Sequence, residues 1–304
     1  MRTDTRSVVV ALATLPLLVG VAGVRPLSAQ NAASLCGFSP DPVAVSRCLA
    51  GTRSVNDLAA SLAVIHGGAS AVPGSASVLG RRFSSTPRIA FSGRLGFGNF
   101  DLDTPDRWGS GEDETVTPPV FAVSGAVGLH DGFSIAPTVG GLLAVDLFAD
   151  VSTIRLNAND EFDDASTAFG FGARIGLLRE SFTLPGASVS VARRIGASTE
   201  LRGEGGSLDA DVDATSVRLV VGKEIAGFGF LGGAGWERHT TDWEVVANGS
   251  GPTSSITVSE NNDSDTETLF FGSVTRTFLV TQVGVEFGWS DEASFASLSL
   301  RLTL

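Results

Sequence analysis

Glu237 and His239 stand two residues apart, so on an extended strand an acid and an imidazole share one face. Asp101 and Asp103 repeat that spacing far upstream. A His–carboxylate pair facing two aspartates could activate water for hydrolysis. Acyl transfer would instead need a Ser–His pair with a third orienting group, and His130 falls at a predicted turn. The sequence has no phosphate-binding loop, dinucleotide fingerprint or zinc motif. No cofactor is expected.

Other charges suggest other chemistry. Arg94, Asp146, Arg174, Arg194, Arg218, Glu286 and Arg301 lie opposite apolar neighbours in alternating stretches. Collected on one face they could line a path for anions, or pair into a network that fills an interior. Acidic runs at Asp101, Asp103, Asp106, Glu112, Asp113 and Glu114, at Asp160, Glu161, Asp163 and Asp164, and at Asp209, Asp211 and Asp213 could hold divalent cations. They lack the glycine and terminal glutamate spacing of a helix-loop-helix calcium site, and solvated loop charge is the alternative. With a net charge of −12 and no basic patch, nucleic acid is not an expected partner.

The elements that carry these residues follow from how the apolar residues are spread. Mean hydropathy is positive, yet beyond the first thirty residues no uncharged apolar run reaches the ~20 residues of a membrane helix. With 37 glycines and a single methionine, a helical bundle is disfavoured. Residues 1–29 read as a secretory signal: Arg2 and Arg6 lead, Val8 to Val24 is apolar, and Leu27-Ser28-Ala29 precedes Gln30. An uncleaved anchor is the competing reading. Cleavage would remove three arginines and one aspartate and take the charge from −12 to −14.

Residues 30–86 are rich in Ala, Ser, Gly and Pro and form a periplasmic segment in this reading. Asp41-Pro42 can open a short helix, and Ser54 can cap a second that ends at Gly67-Gly68. Cys36 and Cys48 are the only cysteines, an even pair suited to a disulfide in an oxidising compartment. Such a head would lean on the end of the following domain or plug it. His66, at the end of the second helix, is read as structural.

After Pro87 the period becomes two. Ile89, Phe91, Leu95 and Phe97 alternate with Arg88, Ala90, Ser92 and Arg94. Similar runs recur through Phe121–Leu129, Val139–Val151, Phe169–Leu177, Val189–Ile195, Val217–Val221, Phe228–Trp236, Phe270–Val274 and Val283–Trp289. The last is Leu298, Leu300, Leu302 and Leu304 against Ser297, Ser299, Arg301 and Thr303. Short connections are expected near 130–133, 179–186, 222–227 and 278–281, and longer polar ones near 101–117, 156–165, 197–212 and 248–266. Ten strands result, with eight or twelve as alternatives and a soluble sandwich as the competing architecture.

The signal sequence, the alternating runs and a terminal apolar-alternating strand together resemble bacterial outer-membrane β-barrel proteins. The resemblance covers residues 87–304 and implies an all-β, antiparallel up-and-down transmembrane barrel in the outer membrane. It also implies contact with outer-membrane lipid and lipopolysaccharide, and recognition of the final strand by the barrel-assembly machinery. That strand usually ends in Phe, where this chain has Leu304. The expected role is structural or surface interaction. A narrow passive porin is an alternative, and so is a hydrolase resembling the ten-stranded omptins through Glu237, His239, Asp101 and Asp103. Omptins pair Asp with His where this chain has Glu237, and their surrounding motifs are missing.

Overall fold

The computed structural model describes residues 34–304 apart from 38, 83–85, 112, 135–138, 157–164 and 252–253. The signal sequence, Glu112 and the run Asp160, Glu161, Asp163 and Asp164 lie outside the described residues.

Ten long antiparallel strands close on themselves. They are β1 (Ile89–Leu102), β2 (Pro119–His130), β3 (Val145–Arg155), β4 (Ala165–Leu178), β5 (Gly186–Gly203), β6 (Gly206–Ile225), β7 (Phe228–Asn248), β8 (Ser255–Phe278), β9 (Thr281–Trp289) and β10 (Ala293–Thr303). Each pairs with its neighbour in sequence, and β10 pairs back onto β1 from Ala293↔Phe100 to Thr303↔Ala90. Closure leaves no open edge, the condition for a sheet to sit in lipid.

Alternation decides which side is which. Leu298, Leu300, Leu302 and Leu304 point outward and are exposed, while Ser297 and Ser299 point inward and are buried. Phe91, Phe97, Phe121, Phe169, Phe171, Phe230 and Phe287 likewise stand exposed on the outer face. A water-soluble sandwich would bury these side chains between two sheets. Trp289 stacks beside Phe270 and Phe287, with ring centres 6.1 and 6.3 Å apart, so Phe and Trp supply the aromatic border in a chain without Tyr. Leu300→Arg should destabilise the barrel by about 2–4 kcal/mol if this face meets hydrocarbon. Urea titration of the protein in bilayers checks it, and an unchanged midpoint would remove the lipid assignment.

Several boundaries differ from the sequence expectation. β3 begins at Val145, so the first short-end connection spans 131–144 instead of 130–133, and Val139 and Leu143 precede the strand. The polar stretches 197–212 and 248–266 are mostly strand: β5 to β8 run for 18, 20, 21 and 24 residues. About 9–11 residues suffice to cross a membrane. Beyond Ile195, Val217, Trp236 and Phe270 the outward face turns polar, with Glu200, Asp209, Asp211, Asp242 and Glu244, while Leu201, Leu208, Val212, Trp243 and Val245 stay inward and buried. Acid outside and small apolar inside reads as loop in one dimension. In three it is a four-stranded wall standing clear of the lipid-facing band. At its foot the register slips between Arg194 and Ala197, and just before the slip Arg193 stands outward in phase with Val191, paired with Asp213 at 2.8 Å.

One helix, α1 (Pro42–Gly67), replaces the two expected. Asp41 caps it, accepting from the Val43 amide, and the same carboxylate accepts from Ser250 and Ser254 in the β7–β8 turn. Gly51, which precedes the expected cap at Ser54, is a point of close approach: a Cβ there would lie 2.7 Å from Val245 and 3.0 Å from Trp108. Packing against the wall therefore overrides the low helix propensity of Gly-Thr. Cys36 and Cys48 form a disulfide, fully buried in the same apolar core.

Candidate functional site: the occupied lumen

Of the two placements expected for the N-terminal segment, leaning on the barrel end or plugging it, the structure has the second: α1 lies inside the barrel. α1 starts beside the β7–β8 turn, at the end with the tall hairpins, and descends the lumen to Gly67. Residues 69–80 continue to the short-turn end, where the Arg81 amide donates to Asp131. Partners come from around the wall: β1, β5 and β6 reach the C-terminus of α1, and β3 and β4 hold His66. Leu58, Leu62 and Ile65 pack with Phe100, Leu269, Phe271 and Phe295 of the wall in one apolar core.

Below this apolar stretch the lumen is ionic. Gly68 ends α1 with φ at +60°, its amide donating to Val64. A Cβ at Gly68 would collide with the Arg94 guanidinium, so only glycine allows this cap and this approach together. The carbonyls left over at the helix end receive arginines. Arg94 donates to His66 at 3.1 Å, Arg194 to Gly67 at 3.3 Å, and Arg218 to Gly67 at 2.8 Å, to Gly68, and to Ala69 at 3.1 Å. Cations at a helix C-terminus also suit its dipole. Glu237 balances them, 2.7 Å from Arg218 and 3.5 Å from Arg194, and Asp150 lies 3.5 Å from Arg194. His66 bonds the hydroxyls of Ser152 and Ser166 through its two ring nitrogens, at 2.8 and 3.2 Å, a structural seat.

A second cluster holds the descending segment. Asp146 accepts from Arg174 at 2.6 Å and from the amides of Leu79 and Gly80. Arg174 also donates to the Ser75 carbonyl, and Arg301 to that of Pro73. Glu286 is fully buried, and its oxygens accept no well-formed hydrogen bond among the described residues.

All seven of Arg94, Asp146, Arg174, Arg194, Arg218, Glu286 and Arg301 thus face inward, but most of their bonds run to the plug's backbone and not to one another. Asp150 was missed by sequence reasoning, although its spacing of four from Asp146 places both on one face. The backbone carbonyls of 66–75 carry no sequence signal at all.

The hydrolytic constellation does not assemble. Glu237 is an ion-pair partner, only 1% exposed. His239 faces inward and is buried. Asp101 points outward, accepting from Thr115, whereas Asp103 lies past the end of β1 and turns partly inward. Asp101 is turned away from the lumen, and the acids beside His239 are Asp265, Glu237 and Asp263, so neither aspartate reaches the histidine. Among the described residues no group of acids, histidines or cysteines is arranged to hold a metal.

Small voids lie beside the plug, one of about 30 Å³ near His66, Arg94 and Asp150 and one of about 70 Å³ near Gly74, Gln282 and Arg301. A vestibule of about 940 Å³ opens at the short-turn end. At the other mouth, Asp57 of α1 is half-buried. Burial, with the carboxylates of Glu292, Asp113 and Asp103 nearby and Arg53 opposing, pushes its carboxyl up to about 7. A raised folded-state value means stability fully present below about pH 4 and lost as pH rises through 7. Unfolding in detergent should therefore need less urea at pH 8 than at pH 5, with a smaller difference in Asp57→Asn.

No family model and no curated protein matches the chain. Solved structures that it resembles are bacterial outer-membrane proteins of differing roles. The translocator domain of the autotransporter NalP from Neisseria meningitidis is 8% identical, with 71% of this chain and 87% of that one covered and a TM-score of 0.41. For the outer membrane protease OmpT from Escherichia coli the identity is 10%, the coverage 72% and 96%, and the TM-score 0.34. An outer membrane channel from Pseudomonas putida F1 is 10% identical, with 76% and 99% covered and a TM-score of 0.35.

Proposed function

We propose that the chain is an exported outer-membrane barrel closed by its own N-terminal segment, with a structural or surface-interaction role. The observation that carries this reading is the lumen occupied from end to end by residues 42–80, with an apolar seal above and an ionic seat below. Long hairpins outward and short turns toward the periplasm follow the usual asymmetry of such barrels. On that orientation the four-stranded wall, with its acidic outer face, stands on the cell surface beside lipopolysaccharide, where divalent cations could bridge acid to phosphate. The strand Leu298–Leu304 would be the one read during assembly.

The porin reading predicts a different result. Full-length protein in planar bilayers should give no stable conductance. Discrete steps from the wild-type chain would overturn the closed-barrel reading and favour a narrow pore.

A further inference from the structure

The apolar outer face is dented at Gly93. Gly93 points its missing side chain outward, and a Cβ built there meets nothing within 4 Å. The register sets Gly93 between Val123 and Leu300, and Leu95 directly above it between Phe121 and Leu298. The result is an almost wholly apolar groove of about 470 Å³ on the outside of the barrel.

A cation stands at the head of this groove. Arg155, exposed at the upper end of β3, holds its guanidinium 6.0 Å from the centre of the Phe121 ring. Arg107, Arg193 and Arg202 each sit by a carboxylate at this end of the barrel, but Arg155 makes no ion pair with the described residues. Val151 lines the groove four residues below it. At ~3.3 Å per residue and a strand tilt of about 40°, the charge lies about 10 Å nearer the aqueous side than Val151 in the groove. That offset matches a lipid whose phosphate is at the interface and whose chain descends into hydrocarbon.

We propose that the Gly93 groove and Arg155 bind one phosphorylated lipid of the leaflet at the tall-hairpin end, which is lipopolysaccharide on the orientation proposed above. The phosphate pairs with Arg155, partly desolvated against Phe121, and one acyl chain fills the space that Gly93 leaves. The site rests on the membrane reading and names the lipid it recognises.

The test uses the full chain, extracted in mild detergent, and lipid A as probe. Wild type should retain lipid A through washing. Arg155→Gln should weaken retention about tenfold or more, as loss of a charged hydrogen-bond partner does. Gly93→Leu should weaken it as much by filling the groove, and because nothing lies near that Cβ the barrel should keep its heat-modifiable gel mobility. Lipid A stripped of phosphate should bind wild type no better than intact lipid A binds Arg155→Gln. Equal retention by wild type and both variants, or equal retention of phosphatidylglycerol, would overturn the site. A chain that fails to insert into liposomes would instead overturn the membrane reading itself, so the two failures are distinguishable.

Discussion

Arg218→Ala should unseat the plug and turn a silent barrel into a conducting one. The arginine is 2% exposed and serves two sets of acceptors at once, Glu237 and the carbonyls of Gly67, Gly68 and Ala69. Its removal leaves a buried carboxylate with only Arg194, 3.5 Å away, and helix-end carbonyls with one fewer donor. Breaking a buried pair by deleting one partner costs about 3–5 kcal/mol. Single-channel recording should show intermittent steps, and the thermal midpoint in detergent should fall. Arg218→Ala/Glu237→Leu should recover much of the stability, because the stranded charge is gone. A silent, fully stable Arg218→Ala protein would show that the apolar seal alone holds the plug.

Asp146→Ala should be comparably severe and act at the other end. Its carboxylate binds Arg174, itself 2% exposed, and also the amides of Leu79 and Gly80. About 3–5 kcal/mol is again expected for the orphaned guanidinium. The loss should register as freer protease access to residues 69–80 before the barrel unfolds. Asp146→Leu/Arg174→Met, similar in volume and without charge, should restore most of the unfolding midpoint. If the single variant matches wild type, the pair contributes nothing to seating the segment.

The barrel was legible because lipid outside and polar groups inside force a two-residue rhythm on every strand. Leu298 to Leu304 and Phe121 to Leu129 show it plainly. The walls above the membrane were not legible as strands. There the outward neighbours of the inward apolar residues are mostly polar, Asp209 and Asp211 among them, so pairs alternate without the oily face that marks a spanning strand. The expected second helix failed for a different reason: Ser54 suits an N-cap, yet its hydroxyl donates to the Ala50 and Asp103 carbonyls within one continuous helix. Inward charges could be phased from their neighbours. Their partners could not, because backbone carbonyls look alike in every sequence. His239 and Asp101 each share a face with a neighbour two residues away, but His239 points into the lumen and Asp101 points out of it.

The path of the plug also constrains the order of assembly. Residues 42–80 run the length of the lumen and lead into β1 at the short-turn end, while β10 on β1 is the seam that joins the two ends of the sheet. A finished ring offers no lateral entrance to a segment of this length. The N-terminal part must therefore be laid within the curling sheet before Ala293–Thr303 zips against Ile89–Leu102, as a thread is laid in a tube before the tube is sealed. The carbonyls that Arg94, Arg194 and Arg218 grip would then guide how the ring closes as well as keep it shut.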